Sequence, residues 1–138
     1  MMPSYEFFEH EADIGIRGFG KTMDEAFEHA ALGMYAIMVN TAAVQPVTMR
    51  TISVSAPDHE LLLIEWLNAL LTVSDIDRLV FSQFKVQIEG HALTGTAWGE
   101  KFDPRRHEPG VEVKAATYHL LTVTPADSGY VAQCIVDV

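Results

Sequence analysis

The residues from Asp58 to Ser74 leave this chain little freedom in how it folds. Leu62, Leu63, Ile64, Trp66, Leu67, Leu70 and Leu71 recur so densely at helical spacing that Glu65, Asn68 and Thr72 form only a narrow polar stripe. A helix of that kind has to be covered on nearly all sides. It predicts a sheet on one flank and a second helix on the other, with an oligomer or partner contact as the competing cover. The apolar run from Leu61 to Ile64 is far too short to span a membrane.

The remaining segments supply that cover. Tyr5 to Glu9 and Ile14 to Phe19 read as strands, with Gly18 and Gly20 marking a tight exit from the second. Thr22-Met23-Asp24-Glu25 is a capping box, and the helix it starts, about Met23 to Val39, carries Phe27, Ala30, Ala31, Met34 and Met38 on one face. Gly33 within it points to close packing on the sheet. Asn40 to Val47 is a connector and Arg50 to Ala56 a strand, and Leu79 to Ile88 and His91 to Trp98 form a hairpin around Glu89-Gly90. Gly99 to Gly110 reads as a long polar loop, and Val111 to Thr124 and Tyr130 to Val138 as a last hairpin around Pro125 to Gly129. The expectation is one α+β domain over residues 1–138, with two helices on one face of a mainly antiparallel sheet.

Charge narrows the function. Nine Lys and Arg against nineteen Asp and Glu give a net charge of −10, which repels nucleic acid and makes direct RNA binding an unfavoured reading. Metal ions or a basic patch on a protein suit such a surface better. The single cysteine, Cys134, allows neither an internal disulfide nor a cysteine-based zinc site and suits a reducing, cytoplasmic setting. Phe7 and Phe8 run straight into Glu9, His10 and Glu11, so no signal peptide is expected.

Three groups of residues can carry chemistry. His10, Glu11 and Asp13 stand at the mouth of the second strand, and Asp137 near the end of the last. If those strands are neighbours, Asp13, Asp137 and a carboxylate at Val138 offer hard oxygens to Ca²⁺, Mg²⁺ or Mn²⁺. The competing reading makes Asp137 a solvated chain end and Asp13 a cap of its own turn. Lys101, Arg105, Arg106 and Lys114 cluster around His107, either as a positive patch for an anionic partner or as a solvated loop whose ion pairs are each worth ~0–1 kcal/mol. In the run Glu112 to His119, alternation puts Lys114, Ala116 and Tyr118 on one strand face and His119 on the other, where a lone histidine is usually structural. No nucleophile with a base, phosphate-cradling loop or dinucleotide fingerprint is present. The residues describe a metal-capable or partner-binding domain rather than an evident enzyme.

Six ordered segments resemble the archease family. They are His10-Glu11-Ala12-Asp13-Ile14-Gly15; Gly20-Lys21-Thr22 with Glu25-Ala26; Glu65-Trp66-Leu67-Asn68; Gly99-Glu100 through Asp103-Pro104 and Arg106-His107; Val113-Lys114-Ala115 with Thr117-Tyr118-His119; and Ile135-Val136-Asp137-Val138. Glu11 departs from the threonine more usual there. The resemblance implies an archease-like fold of strand-helix-strand-strand modules. It further implies an accessory protein that is not itself an enzyme and that promotes guanylylation and multiple turnover of an RtcB-type RNA ligase working with GTP and Mn²⁺. A chaperone-like modulator of a tRNA methyltransferase is the second role it implies. It assigns a divalent metal ion to Asp13, Asp137 and Val138, and functional importance to Lys114. His10, Asp103, Arg106, His107 and His119 are the further residues expected to contact the partner or otherwise to serve function.

Overall fold

In the computed structural model, which describes residues 3–138, the Thr22 hydroxyl accepts the Glu25 amide at 3.1 Å and helix α1 runs Met23–Met38. The Glu25 carboxylate reaches back one residue beyond the usual capping-box partner, to the Lys21 amide at 2.9 Å. Before it come β1 (Tyr5–His10) and β2 (Asp13–Gly20), an antiparallel pair. The tight exit expected at Gly18 and Gly20 falls at Gly20, where β2 ends two residues before α1, while Gly18 lies inside the strand. Gly18 instead permits contact between backbones: a Cβ there would lie 2.4 Å from the Ala26 carbonyl and the Ala30 amide of α1.

Helix α2 spans His59–Asp77, a turn longer than the apolar pattern alone marks, and ends on Arg78 in a left-handed conformation. It is covered as its composition demands. The Trp66 indole donates to the Phe27 carbonyl at 3.1 Å and the Tyr35 hydroxyl to the Leu70 carbonyl at 3.1 Å, both fixing α2 against α1. Burial pushes the Tyr35 hydroxyl well above its ordinary pKa, so it stays a donor. Strands β3 (Thr48–Ser55), β4 (Leu79–Glu89) and β5 (Ala92–Lys101) cover another flank, and one hydrophobic cluster runs through α1, α2 and the strands on both sides.

All strand pairings are antiparallel, yet they divide into two sheets where one was expected. With β6 (Ala115–Ala116), β7 (Thr122–Ala126) and β8 (Gly129–Asp137), the first has the order β1-β2-β8-β6 with β7 also on β8; the second has the order β3-β5-β4. The reason lies on α1, which packs on β2 and along β4. Its Asp24 and Glu28 carboxylates accept the Ile88 and Val86 amides at 3.2 and 2.9 Å. One helix turn thereby occupies the hydrogen-bonding edge that another strand would need. Burial raises the Glu28 carboxyl, with the Val86 amide pulling the other way.

The C-terminal third departs most from expectation. The segment Gly99 to Gly110 is not a structureless loop, since β5 continues to Lys101 and a one-turn helix α3 covers Pro104–His107. Nor is Val111 to Thr124 one strand. It contains β6 (Ala115–Ala116) and β7 (Thr122–Ala126), both paired with β8 (Gly129–Asp137). Ala116 lies opposite Val136 and Thr122 opposite Gln133, so six steps on one side face three on the other. Tyr118, His119 and Leu120 are looped out, and Tyr118 does not share a strand face with Lys114.

Candidate functional site

The β2–β8 ladder pairs Ile14 with Val136, and continuing it by one residue sets Asp13 opposite Asp137. Side chains opposite one another in an antiparallel pair share a face. His10 lies opposite Asp13 on β1, and Ala115 opposite Asp137 on β6, so this face carries two carboxylates between an imidazole and the β6 backbone. The Val138 amide approaches Asp13 Oδ1 at 3.4 Å, a long contact that leaves most of the carboxylate free. The His119 ring lies 5.7 Å from that of His10. Among the described residues neither carboxylate has a Lys or Arg within ion-pair distance. Nor do any three His, Cys, Asp or Glu side chains there gather as a ligand set. Two carboxylates on one strand face offer hard oxygens of the kind an ion that keeps several waters, such as Mg²⁺, accepts, and they do not form a closed protein cage.

Lys114 is held beside this pair through its backbone. Its amide donates to the Asp137 carbonyl at 2.8 Å, while its side chain is exposed and has no carboxylate within ion-pair distance among the described residues. Two anchors set that position. Asn68 reaches from α2 to the Ala116 amide at 2.9 Å and the Ala116 carbonyl at 3.2 Å, acting as a short extra strand. Upstream, the Gly110 and Val111 amides donate to the Met38 and Ile37 carbonyls at 2.8 and 3.0 Å, satisfying the open end of α1. A Cβ at Gly110 would sit 2.4 Å from the Ile37 carbonyl. Gly110→Ala is therefore expected to destabilise the chain by about 1–3 kcal/mol in urea unfolding, as overpacking does. It should also shift the amide resonances of Lys114 and Asp137.

Of the residues expected at the polar loop, His107 turns inward while Arg106 stays exposed. His107 is fully buried. Its Nδ1 accepts the Asp103 amide at 2.9 Å, so the ring proton sits on Nε2, which donates to Glu100 at 2.9 Å. Arg106 forks onto the same carboxylate at 2.9 and 3.0 Å, and Asp103 caps α3 through the Arg105 amide at 3.0 Å. His107 thus has no surface to offer a partner, whereas Arg106, paired with Glu100, keeps its side chain 47% exposed. Glu100, which sequence reasoning left out of the site, is the hub. The signal available for it was a carboxylate six and seven residues before a conspicuous Arg-His pair.

Arg106, then the Gln45 amide and His107, hold the Glu100 carboxyl down at about 2. A carboxyl depressed on folding contributes stability above its unfolded pKa and loses it as pH falls toward the folded value. Urea titrations should show the wild type losing stability between roughly pH 4.5 and pH 2 from this group. Glu100→Gln should remove that part of the slope.

A groove of about 780 Å³ opens on the other side of Lys114, with Asn68, Thr72, Arg78, Phe102 and Glu112 along it. The molecule is an α+β protein whose distinguishing surface is a paired-carboxylate strand end beside a lysine fixed by its backbone. The Archease protein family (MTH1598/TM1083) matches residues 5–138, and the chain belongs to that family. It is 43% identical over 139 residues to "Protein archease" of Sulfurisphaera tokodaii, covering 99% of this chain and 100% of that one. It is 44% identical over 142 residues to "Protein archease" of Pyrococcus furiosus, with the same coverage. The solution structure of Methanobacterium thermoautotrophicum protein 1598 superposes with a TM-score of 0.87 at 37% identity, covering 99% of this chain and all of that one. No helix among the described residues is long and apolar enough to cross a membrane.

Proposed function

We propose that this chain is an accessory protein of an RtcB-type RNA ligase, promoting guanylylation of the ligase and its repeated turnover. The observation that carries this reading is that Asp13 at the start of β2, Asp137 at the end of β8 and the backbone of Lys114, one residue before β6, lie together at one end of the sheet. Asp13 and Asp137, with a backbone oxygen at Val138, would hold a divalent cation. When bound, that ion neutralises the carboxylate pair and ties the start of β2 to the end of β8. The chain's own part is to present a fixed lysine and an acidic surface to a basic cleft. A net charge of −10 steers the encounter with such a cleft.

The test adds the purified chain to a cognate RtcB-type ligase with GTP, Mn²⁺ and RNA ending in a 3′-phosphate. Faster guanylylation and more than one joined product per ligase are the expected results, with the association rate falling as salt rises. Equal ligase output with and without the chain overturns the reading.

A further inference from the structure

We infer that the looped-out residues Tyr118-His119-Leu120 are a preorganised docking element, whose apolar side chains anchor the carboxylate face to a protein partner with a concave, cationic surface. The inference rests on the accessory role proposed above and supplies what that role lacks, namely the residues that hold the partner.

The backbone of this excursion is tied down throughout. Thr117 donates to the Ile135 carbonyl from its amide at 2.9 Å and from its hydroxyl at 2.8 Å, and the Ile135 amide donates to the His119 carbonyl at 3.3 Å. Gln133 Nε2 holds the Leu120 carbonyl at 2.8 Å. The side chains, by contrast, are left in solvent: Tyr118 is 67% exposed and Leu120 52%. Leu120 also has φ 51°, a left-handed backbone in which glycine or asparagine would be relaxed. A fold that needed only to close the β6–β7 connection has no reason to keep a bulky leucine there. A rigid loop presenting an aromatic and an aliphatic side chain loses little entropy on binding, which is how interface anchors gain their effect.

Surroundings select the partner. Of the eight large apolar side chains left exposed among the described residues, Tyr118 and Leu120 bracket His119, whose ring faces His10, itself opposite Asp13. Phe7 and Val111, 45% and 48% exposed, line a depression of about 370 Å³ on the α1 side of the sheet, which reaches Asp13 only at its edge. The unpaired carboxylates thus share their face with the His10–His119 contact and the exposed Tyr118 and Leu120 beside it. Nucleic acid would bring phosphates against those carboxylates, and a second copy would bring its own −10 charge. A protein whose concave face is centred on lysines, arginines or metal ions matches both the charge and the apolar pair Tyr118 and Leu120.

The test measures binding of the full chain to the cognate RtcB-type ligase by titration calorimetry, alongside thermal unfolding, for wild type, Tyr118→Ser, Leu120→Gly and the remote control Val47→Ser. Leu120→Gly is expected to keep or raise Tm, because the strained backbone relaxes, while weakening ligase binding about tenfold or more. Tyr118→Ser should weaken binding comparably at unchanged Tm, with full ligase stimulation recovered at saturating variant. Val47→Ser should match the wild type. If the wild type binds and both loop variants bind within twofold of it, the inference fails alone. Loss of self-association in sedimentation, or of RNA binding, with ligase affinity intact would also overturn it. A wild type that neither binds nor stimulates the ligase sinks the accessory reading and this inference together.

Discussion

Asp13→Ala, Asp137→Ala and Lys114→Ala are each expected to lower ligase stimulation about tenfold or more while the protein stays folded. A charge-assisted hydrogen bond at a desolvated interface is worth roughly 1.5–3 kcal/mol, and 1.4 kcal/mol is a factor of ten. The fold survives for a reason specific to each position. Asp13 contributes one long hydrogen bond, from the Val138 amide, and Asp137 is exposed and pairs through its backbone. Lys114 serves the fold through its amide, which alanine retains. Neither aspartate side chain carries core packing, so Tm without added metal should hold. Added Mg²⁺, Mn²⁺ or Ca²⁺ separates the roles. The wild type should gain stability as RT ln(1 + [metal]/Kd), Lys114→Ala should gain as much, and the aspartate variants should gain little. Equal metal-induced Tm shifts in wild type and Asp13→Ala would show that the ion binds elsewhere. Normal stimulation by all three variants would remove these residues from the interface with the ligase.

What the sequence displayed and what it hid differ by the range of the interactions involved. The capping box at Thr22 and the buried faces of α1 and α2 depend on neighbours within a few residues, and they form as their spacing predicts. The hairpin at Glu89-Gly90 also forms, because a glycine with φ 63° is written into the turn. Gly18 was ambiguous because a strand-ending glycine and one that lets a helix touch the strand look alike in one dimension. The split into two sheets was hidden in Asp24 and Glu28. Read alone they are ordinary acids in the first two turns of a helix, and only the position of β4 turns them into edge caps. The three-residue excursion at Tyr118 to Leu120 depends on the register of β8, some fifteen residues further on, so strand alternation misassigned the face of Tyr118. Asp13 and Asp137 are 124 positions apart in the chain, and their meeting became visible only once β2 and β8 were paired. His107 carried the least signal. A histidine among arginines reads as surface, and its burial follows from a bond to Glu100 that α3 closes only on folding.

Trp66→Ala should be the most destabilising single change in the core, and its effect should be partly reversed by a second change that is itself harmful in the wild type. The Trp66 ring is fully buried, donates to the Phe27 carbonyl at 3.1 Å and stands edge-on to Phe84 with ring centroids 6.4 Å apart. Its far edge lies over Gly95 of β5, where a Cβ would come within 2.3 Å of the indole. Removing the ring gives up its burial and leaves a cavity between α2 and β5, a combination worth about 3–5 kcal/mol. Against a total stability of roughly 5–15 kcal/mol that is enough to unfold much of the population near 37 °C. Gly95→Ala in the wild type pushes a methyl into the indole and should destabilise by about 1–3 kcal/mol. In the Trp66→Ala background the same methyl enters the space the ring vacated, removes a flexible glycine from a strand, and should stabilise. The double-mutant cycle, read by urea unfolding, is therefore expected to show a coupling in which the effect of Gly95→Ala changes sign. Simple additivity would mean that the indole does not rest on β5, and with that would go the packing that sets Asn68, two residues further along α2, against Ala116 beside Lys114.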